Sequence, residues 1–182
     1  MANVLIPLAE GFEELEAVTI IDLLRRAGIN VTVAGLHEGS VTGSRGTVII
    51  PDDTLDMAMG DEYDMMVLPG GLPGADNLNE DTRINSLLRQ MEANDRYTAA
   101  ICAAPKVLAS AGLLNNKTVT AYPGTLETLD VEGMHYDGGA VVQDGKVVTS
   151  RGPGTAMDFA LSLIGLLEGD SIRDQVEKGL VR

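Results

Sequence analysis

Apolar residues gather in short runs, separated by stretches in which they recur every three or four positions. Asn3 to Ala9 and Asn30 to Leu36 read as buried strands, and between them Glu13 to Ala27 carries a helical period closed by Gly28. This is a βαβ unit. Met65 to Leu68 predicts the next strand, running into Pro69-Gly70-Gly71. Asp81 to Asn94 follows as a helix with Ile84, Leu87, Leu88 and Met91 on one face, and Tyr97 to Ile101 is a strand that stops at Cys102. Pro105 to Ala111 reads as a helix closed by Gly112, Thr118 to Tyr122 as a short strand, and Val141 to Val148 as a hairpin turning at Asp144-Gly145. Thr155 to Leu167 closes the pattern as an amphipathic helix ending in Gly169. Ser40 to Ile50 predicts a small antiparallel excursion around Arg45-Gly46. Strands alternating with helices of this length imply an α/β fold, a mostly parallel sheet with helices on both faces, because parallel neighbours need crossover helices. With no internal repeat, low-complexity tract or linker, residues 1–182 are expected to form one domain.

Composition narrows the chemistry. Thirteen basic residues against 27 acidic ones give a formal net charge of −14, with four Tyr, two Phe and no Trp. Such a chain offers neither a cationic groove for phosphates nor a stacking platform for bases, so direct nucleic-acid binding is not expected. One cysteine closes no intramolecular disulfide, and with two histidines it forms no recognised zinc spacing, so no metal is expected. Met1 to Pro7 has no basic leader and no run reaches membrane-spanning length. A soluble protein of a reducing compartment, the cytoplasm, is the expectation, and its one thiol becomes the residue to explain.

Ligands of open α/β sheets bind beyond the carboxyl ends of the strands, where loops and helix N-termini converge. Those ends are Leu8 to Gly11, Pro69 to Gly71, Ile101 to Pro105, Tyr122 to Gly124 and Ser150 to Gly154. Cys102 stands between a strand and a helix, the connection used by nucleophile elbows, where backbone N–H groups and the helix dipole are expected to lower a thiol's pKa. The alternative is a small buried hydrophobe. Glu16 flanks the apolar stripe Ala17, Ile20, Ile21, Leu24 and Ala27. A carboxyl leaning on that face is partly desolvated, so its pKa should rise and, protonated, it can donate to a thiolate or shuttle a proton. The alternative is that Glu13, Glu14 and Glu16 only complement the helix N-terminus. Gly70-Gly71 matches neither dinucleotide nor Walker spacing, so no nucleotide cofactor follows. The pair reads as letting a backbone N–H approach the site, or as an ordinary turn.

The segments Ala9-Glu10-Gly11-Phe12-Glu13-Glu14-Leu15-Glu16, Val67-Leu68-Pro69-Gly70-Gly71, Ala99-Ala100-Ile101-Cys102-Ala103-Ala104-Pro105 and Thr149-Ser150-Arg151-Gly152-Pro153-Gly154-Thr155 resemble the ThiJ/PfpI superfamily, and within it the DJ-one branch, that of the Parkinsonism-associated deglycase. The likeness runs in order from Val4 to Val181. It implies a flavodoxin-like three-layer sandwich, usually a homodimer, with no cofactor, a reactive cysteine at Cys102 and a glutamate hydrogen-bonded to it at Glu16. The N–H groups of Gly71 and Ala103 match the family's oxyanion donors. Arg26 and Arg45 match positions near the cysteine or the dimer interface, and Arg151 belongs to the same pocket or interface set. Two departures stand out. Tyr122 occupies the place where many members carry a histidine, and with an ordinary pKa of about 10 a tyrosine is a poor base near neutrality. Ala103, not histidine, follows the cysteine, which argues against a peptidase triad. His135 falls in the Gly133 to Tyr136 loop, and His37 is expected to be solvated.

Three functions compete at this level. One is a glutathione-independent glyoxalase, or a deglycase removing early glycation adducts, with a small carbonyl compound as substrate. Another is a redox sensor or stress chaperone whose Cys102 oxidises to sulfinate. The third is a ligand-binding domain with a vestigial cysteine.

Overall fold

The computed structural model describes residues 1–182. In chain order the elements are β1 (Asn3–Leu8), α1 (Glu14–Arg26), β2 (Asn30–Gly35), β3 (Val41–Thr42), β4 (Val48–Ile49), β5 (Asp53–Thr54), α2 (Leu55–Ala58), β6 (Met65–Leu68) and α3 (Gly74–Glu80). Then follow α4 (Thr82–Ala93), β7 (Tyr97–Ile101), α5 (Pro105–Ser110), β8 (Thr118–Val119), β9 (His135–Tyr136), β10 (Val141–Asp144), β11 (Val147–Ser150), α6 (Ala156–Glu168) and α7 (Asp170–Gly179). The main sheet runs β10-β11-β7-β6-β1-β2-β5, parallel except for the β10–β11 hairpin. Its central order β2-β1-β6-β7-β11 is that of the flavodoxin-like doubly wound fold, whose direction of winding reverses beside β1.

Strand alternation divides the core into two. Val4, Ile6, Leu8, Met65, Val67, Ala99 and Ile101 face a cluster completed by α1, α6 and Val176 of α7. Leu5, Met66, Leu68 and Ala100 face the opposite cluster, closed by α2, α3, α4 and α5. Helices on both faces leave every central strand buried, which is why those strands read as continuous apolar runs.

α1 forms because Ala17, Ile20, Leu23 and Leu24 bury one stripe, acidic residues occupy its first turn and Arg25 and Arg26 its last. The same geometry buries Glu16 completely.

Several expected elements change. The Thr118 to Tyr122 strand pairs only over Thr118–Val119, and its partner is β9, which places His135 in a strand rather than a loop. The pattern does not close at α6, because a seventh helix, α7, follows Gly169 and lays Val176 onto the core. Ile172, Val176 and Leu180 recur at helical spacing, so the stripe is present in the sequence beyond the expected end at Gly169. α3 is short and polar, burying only Gly74, Ala75 and Leu78.

Candidate active site

Three strand ends and one helix meet at Cys102. The residue is buried and takes φ +63°, the left-handed region, while Ala104 N–H turns back to the Ile101 carbonyl at 3.0 Å. Left-handed backbone is uncommon outside glycine, and here it makes the tight strand-to-helix elbow that the spacing predicts. The Cys102 N–H donates to the Ser150 carbonyl of β11 at 3.0 Å, and the Cys102 carbonyl accepts from Tyr122 N–H at 2.8 Å.

The turn after β6 supplies the second wall. Gly70 N–H donates to Glu16 Oε2 at 2.8 Å, and the Gly70 carbonyl accepts from Glu13 N–H at 2.9 Å, tying the end of β6 to the start of α1. A Cβ on Gly70 would lie 2.6 Å from the Cys102 Cβ and 2.7 Å from Glu16 Oε2, so thiol, carboxyl and main chain meet only because no side chain stands there. Gly71 takes φ +92°, and its missing Cβ lets it pass the Glu13 main chain. Sequence reasoning reaches the Gly-Gly pair as a close approach. It does not reach the division of labour, in which Gly70 serves the carboxyl and Gly71 the sulfur.

Glu16 Oε1 is buried without a donor. The Cys102 thiol is the polar group beside this carboxyl, and the two alter each other's titration. Burial, opposed by the thiol and by Gly70 N–H, pushes Glu16 up to about 7. The Cys102 thiol departs from expectation. Burial and then the Glu16 charge push it up to about 12, while hydrogen bonds from the Gly71 and Ala103 N–H groups pull it down. The expected lowering counted those donors and the helix dipole, but not the desolvation or the adjacent carboxylate, and α5 is only six residues long. The two groups therefore titrate as a pair, releasing a first proton near neutrality and a second only in strong alkali. In the singly protonated pair these shifts leave the proton on sulfur, and the chemistry requires its transfer to Glu16. On Glu16 it removes the charge that opposes the thiolate and turns the carboxyl into a donor.

The remaining expected residues divide. Tyr122 is joined to the elbow through its N–H, and its half-exposed ring lies over Gly152, where an added Cβ would be 3.3 Å from Cδ2. Arg151 follows Ser150 directly, with its guanidinium on the Gly138 carbonyl at 3.3 Å. Arg45 sits at the exposed tip of the β3–β4 hairpin, where its N–H donates to Glu14 Oε1 at 2.6 Å. Arg26 is not brought to the cysteine. It pairs with Asp22 at 2.9 Å at the far end of α1, ten residues or about 15 Å along the helix from Glu16. His37 is exposed, as expected, and lines a separate cavity of about 430 Å³ over the ends of β1 and β2 with Glu10, Asn77 and Asp81. No group of three or more His, Cys, Asp or Glu residues is placed to hold a metal ion, and no helix is long and apolar enough to cross a membrane.

Comparison with known proteins gives this geometry a context. The DJ-1/PfpI family model matches residues 2–166. Protein dj-1beta of Drosophila melanogaster is 44% identical over 180 residues, covering 98% of this chain and 96% of the relative. The crystal structure of that organism's DJ-1beta superposes with a TM-score of 0.95 at 43% identity, covering 99% of this chain and 97% of the other. Glutathione-independent glyoxalase DJR-1.2 of Caenorhabditis elegans is 34% identical, over 98% of this chain and 95% of its own. A doubly wound sheet with a left-handed cysteine at the end of β7, matched along nearly the whole length by these proteins, makes the chain a member of the DJ-1/PfpI family.

Proposed function

We propose that the protein is a cysteine-dependent, glutathione-independent glyoxalase or deglycase, acting on small 1,2-dicarbonyl compounds such as methylglyoxal or on early glycation adducts. The observation that carries this reading is the meeting of Cys102, buried Glu16 and the N–H groups of Gly71 and Ala103 at one point. The name of the Caenorhabditis elegans relative supports it. Glu16 carboxylate takes the Cys102 proton as sulfur adds to the aldehyde carbon, and the new alkoxide, held by the two N–H groups, receives that proton from Glu16 to give a hemithioacetal. The Glu16 carboxylate then removes the proton from that carbon, giving an enediolate, and returns it to the neighbouring carbon while the hydroxyl proton passes from the first oxygen to the second. Water cleaves the resulting lactoyl thioester, giving lactic acid, which ionises, and the Cys102 thiol. The net change is addition of one water, so no external oxidant or reductant takes part. Lactate formed from methylglyoxal is expected from the wild type and to fall to background in Cys102→Ala and Glu16→Gln; equal rates in all three proteins would refute the mechanism.

The same donors favour a second state of the site. Protonated Glu16 and the two N–H groups would hold the oxygens of a Cys102 sulfinate by charge-assisted hydrogen bonds, consistent with a stress-sensing role.

We further propose that the protein works in the cytoplasm as a homodimer. Val18 and Ile21 of α1 and Ile49 and Ile50 beside it line an apolar depression of about 290 Å³, and Ile50 is 84% exposed. An apolar patch of this kind on a polar surface fits self-association. Ile50→Lys is expected to shift the protein from dimer to monomer in sedimentation equilibrium. A wild type that sediments as a monomer at all concentrations would remove this assembly.

A further inference from the structure

Six polar side chains lie fully within the fold: Glu16, Thr98, Thr120, Thr149, Ser150 and Thr155. Glu16 has its place beside the thiol, but the hydroxyls have no part in the chemistry above. Four of the five nevertheless gather on the two segments that grip the Cys102 main chain.

Cys102 N–H is held by the Ser150 carbonyl, and the Ser150 hydroxyl is itself held by two partners. Its Oγ lies 2.8 Å from the Ala140 carbonyl and 2.7 Å from Thr155 Oγ1, which in turn accepts from Gly152 N–H at 3.1 Å. The Thr155 hydroxyl also lies 2.9 Å from the Gly152 carbonyl, so two directions of donation join the pair: Thr155 to Ser150 and Ser150 to the Ala140 carbonyl, or Ser150 to Thr155 and Thr155 to the Gly152 carbonyl. On the other grip, Thr149 Oγ1 accepts from Thr120 N–H at 2.9 Å, two residues before Tyr122, whose N–H holds the Cys102 carbonyl. Both bonds to the elbow therefore end on segments braced by buried hydroxyls.

A non-glycine residue in the left-handed region persists only where its surroundings over-determine it. We infer that Thr149, Ser150 and Thr155 are positioning residues, a buried hydroxyl splint that keeps Cys102 in its left-handed elbow and its sulfur where the Gly71 and Ala103 N–H groups converge. The inference rests on Cys102 being the reactive group, as proposed above, and not on the identity of the substrate. If the splint relaxes, the sulfur drifts from its two donors and the thiolate loses stabilisation. Hydroxyls that merely add to the stability of β11 would leave the thiol unchanged.

The test is the rate of Cys102 alkylation by iodoacetamide, which needs no turnover and leaves the facing carboxyl of Glu16 in place. Thr155→Val removes the hydroxyl at nearly constant volume, and Thr155→Ser retains it. Ile84→Val, on the opposite face of the sheet, serves as a destabilised control. The alkylation rate constant at pH 8 is expected to fall about threefold or more in Thr155→Val, with Thr155→Ser and Ile84→Val close to wild type. Should Thr155→Val fail to fold, Thr149→Val tests the other grip by the same reading. Lactate formation should fall about tenfold in kcat with little change in KM. Folded Thr155→Val or Thr149→Val with a wild-type alkylation rate at pH 8, or an equal fall in Ile84→Val, would overturn the inference. A wild type that makes no lactate would refute the proposed reaction and leave the alkylation result to decide the splint alone.

Discussion

Glu16→Gln is expected to make the fold more stable at pH 8 while leaving the two proteins nearly equal at pH 4. Burial holds the carboxyl at about 7, against an ordinary value of 4.5. Between those pH values the native state keeps a proton that the unfolded chain has released. Stability is thus fully present below about 4.5 and is lost as pH rises through about 7, by about 3 kcal/mol in total. An amide carries no charge to desolvate. Its oxygen can accept the Gly70 N–H as Oε2 now does, and its NH₂ takes the place of Oε1, which is buried without a donor. The difference corresponds to a rise in Tm of roughly 6–12 °C at pH 8. Thermal unfolding of both proteins from pH 4 to 8 reads it directly, and parallel curves across that range would show that Glu16 is not held protonated by burial. Stability gained together with activity lost is the signature of a group kept in place for chemistry.

A single methyl group added at Gly70 should disable the site from the other side. The Cβ of Gly70→Ala would fall 2.6 Å from the Cys102 Cβ, 2.7 Å from Glu16 Oε2 and 2.8 Å from the Ile101 carbonyl. The Cys102 Cβ and the Ile101 carbonyl cannot swing aside as the end of a side chain could, so the turn after β6 must move away from β7. Overpacking of this kind costs about 1–3 kcal/mol. The catalytic loss is larger, because displacing reacting groups by about 1 Å is worth on the order of a hundredfold in rate. Gly154→Ala is the matched control, since a Cβ there meets nothing within 4 Å and its stability should change by no more than about 0.5 kcal/mol. Lactate formation and denaturant midpoints for both variants measure the contrast, and a Gly70→Ala enzyme with near wild-type kcat would mean that the carboxyl and thiol do not need this spacing.

The sheet was legible because its strands are buried on both faces and its long helices carry wide apolar stripes. Met65–Leu68 and Tyr97–Ile101 fall where the apolar runs end, and the turns at Gly28, Gly112 and Gly169 close the helices before them. What escaped were β9, which exists only because Thr118–Val119 lies beside it, and α7, whose stripe of Ile172, Val176 and Leu180 lies beyond the expected end of the pattern. At the site, Cys102 and Glu16 could be named from their positions and the Gly70-Gly71 pair read as a close approach, while Gly71 and Ala103 as donors followed only from the family resemblance. The balance of forces on the thiol was not legible. Its sign depends on how deeply the elbow is buried and on which group occupies the space beside it, and neither is encoded in local spacing. The Ser150 carbonyl and the hydroxyls behind it were also hidden, since a main-chain acceptor leaves no mark on residue identity.

Two of the groups that act on the sulfur belong to the backbone of Gly71 and Ala103. A main-chain N–H is present in every amino acid except proline, so no ordinary substitution at position 103 deletes that donor; it can only displace it. The carboxyl and the thiol, in contrast, are each lost by one replacement. The proposed chemistry can therefore be lost in a single step at Cys102 or Glu16 while both main-chain N–H groups remain.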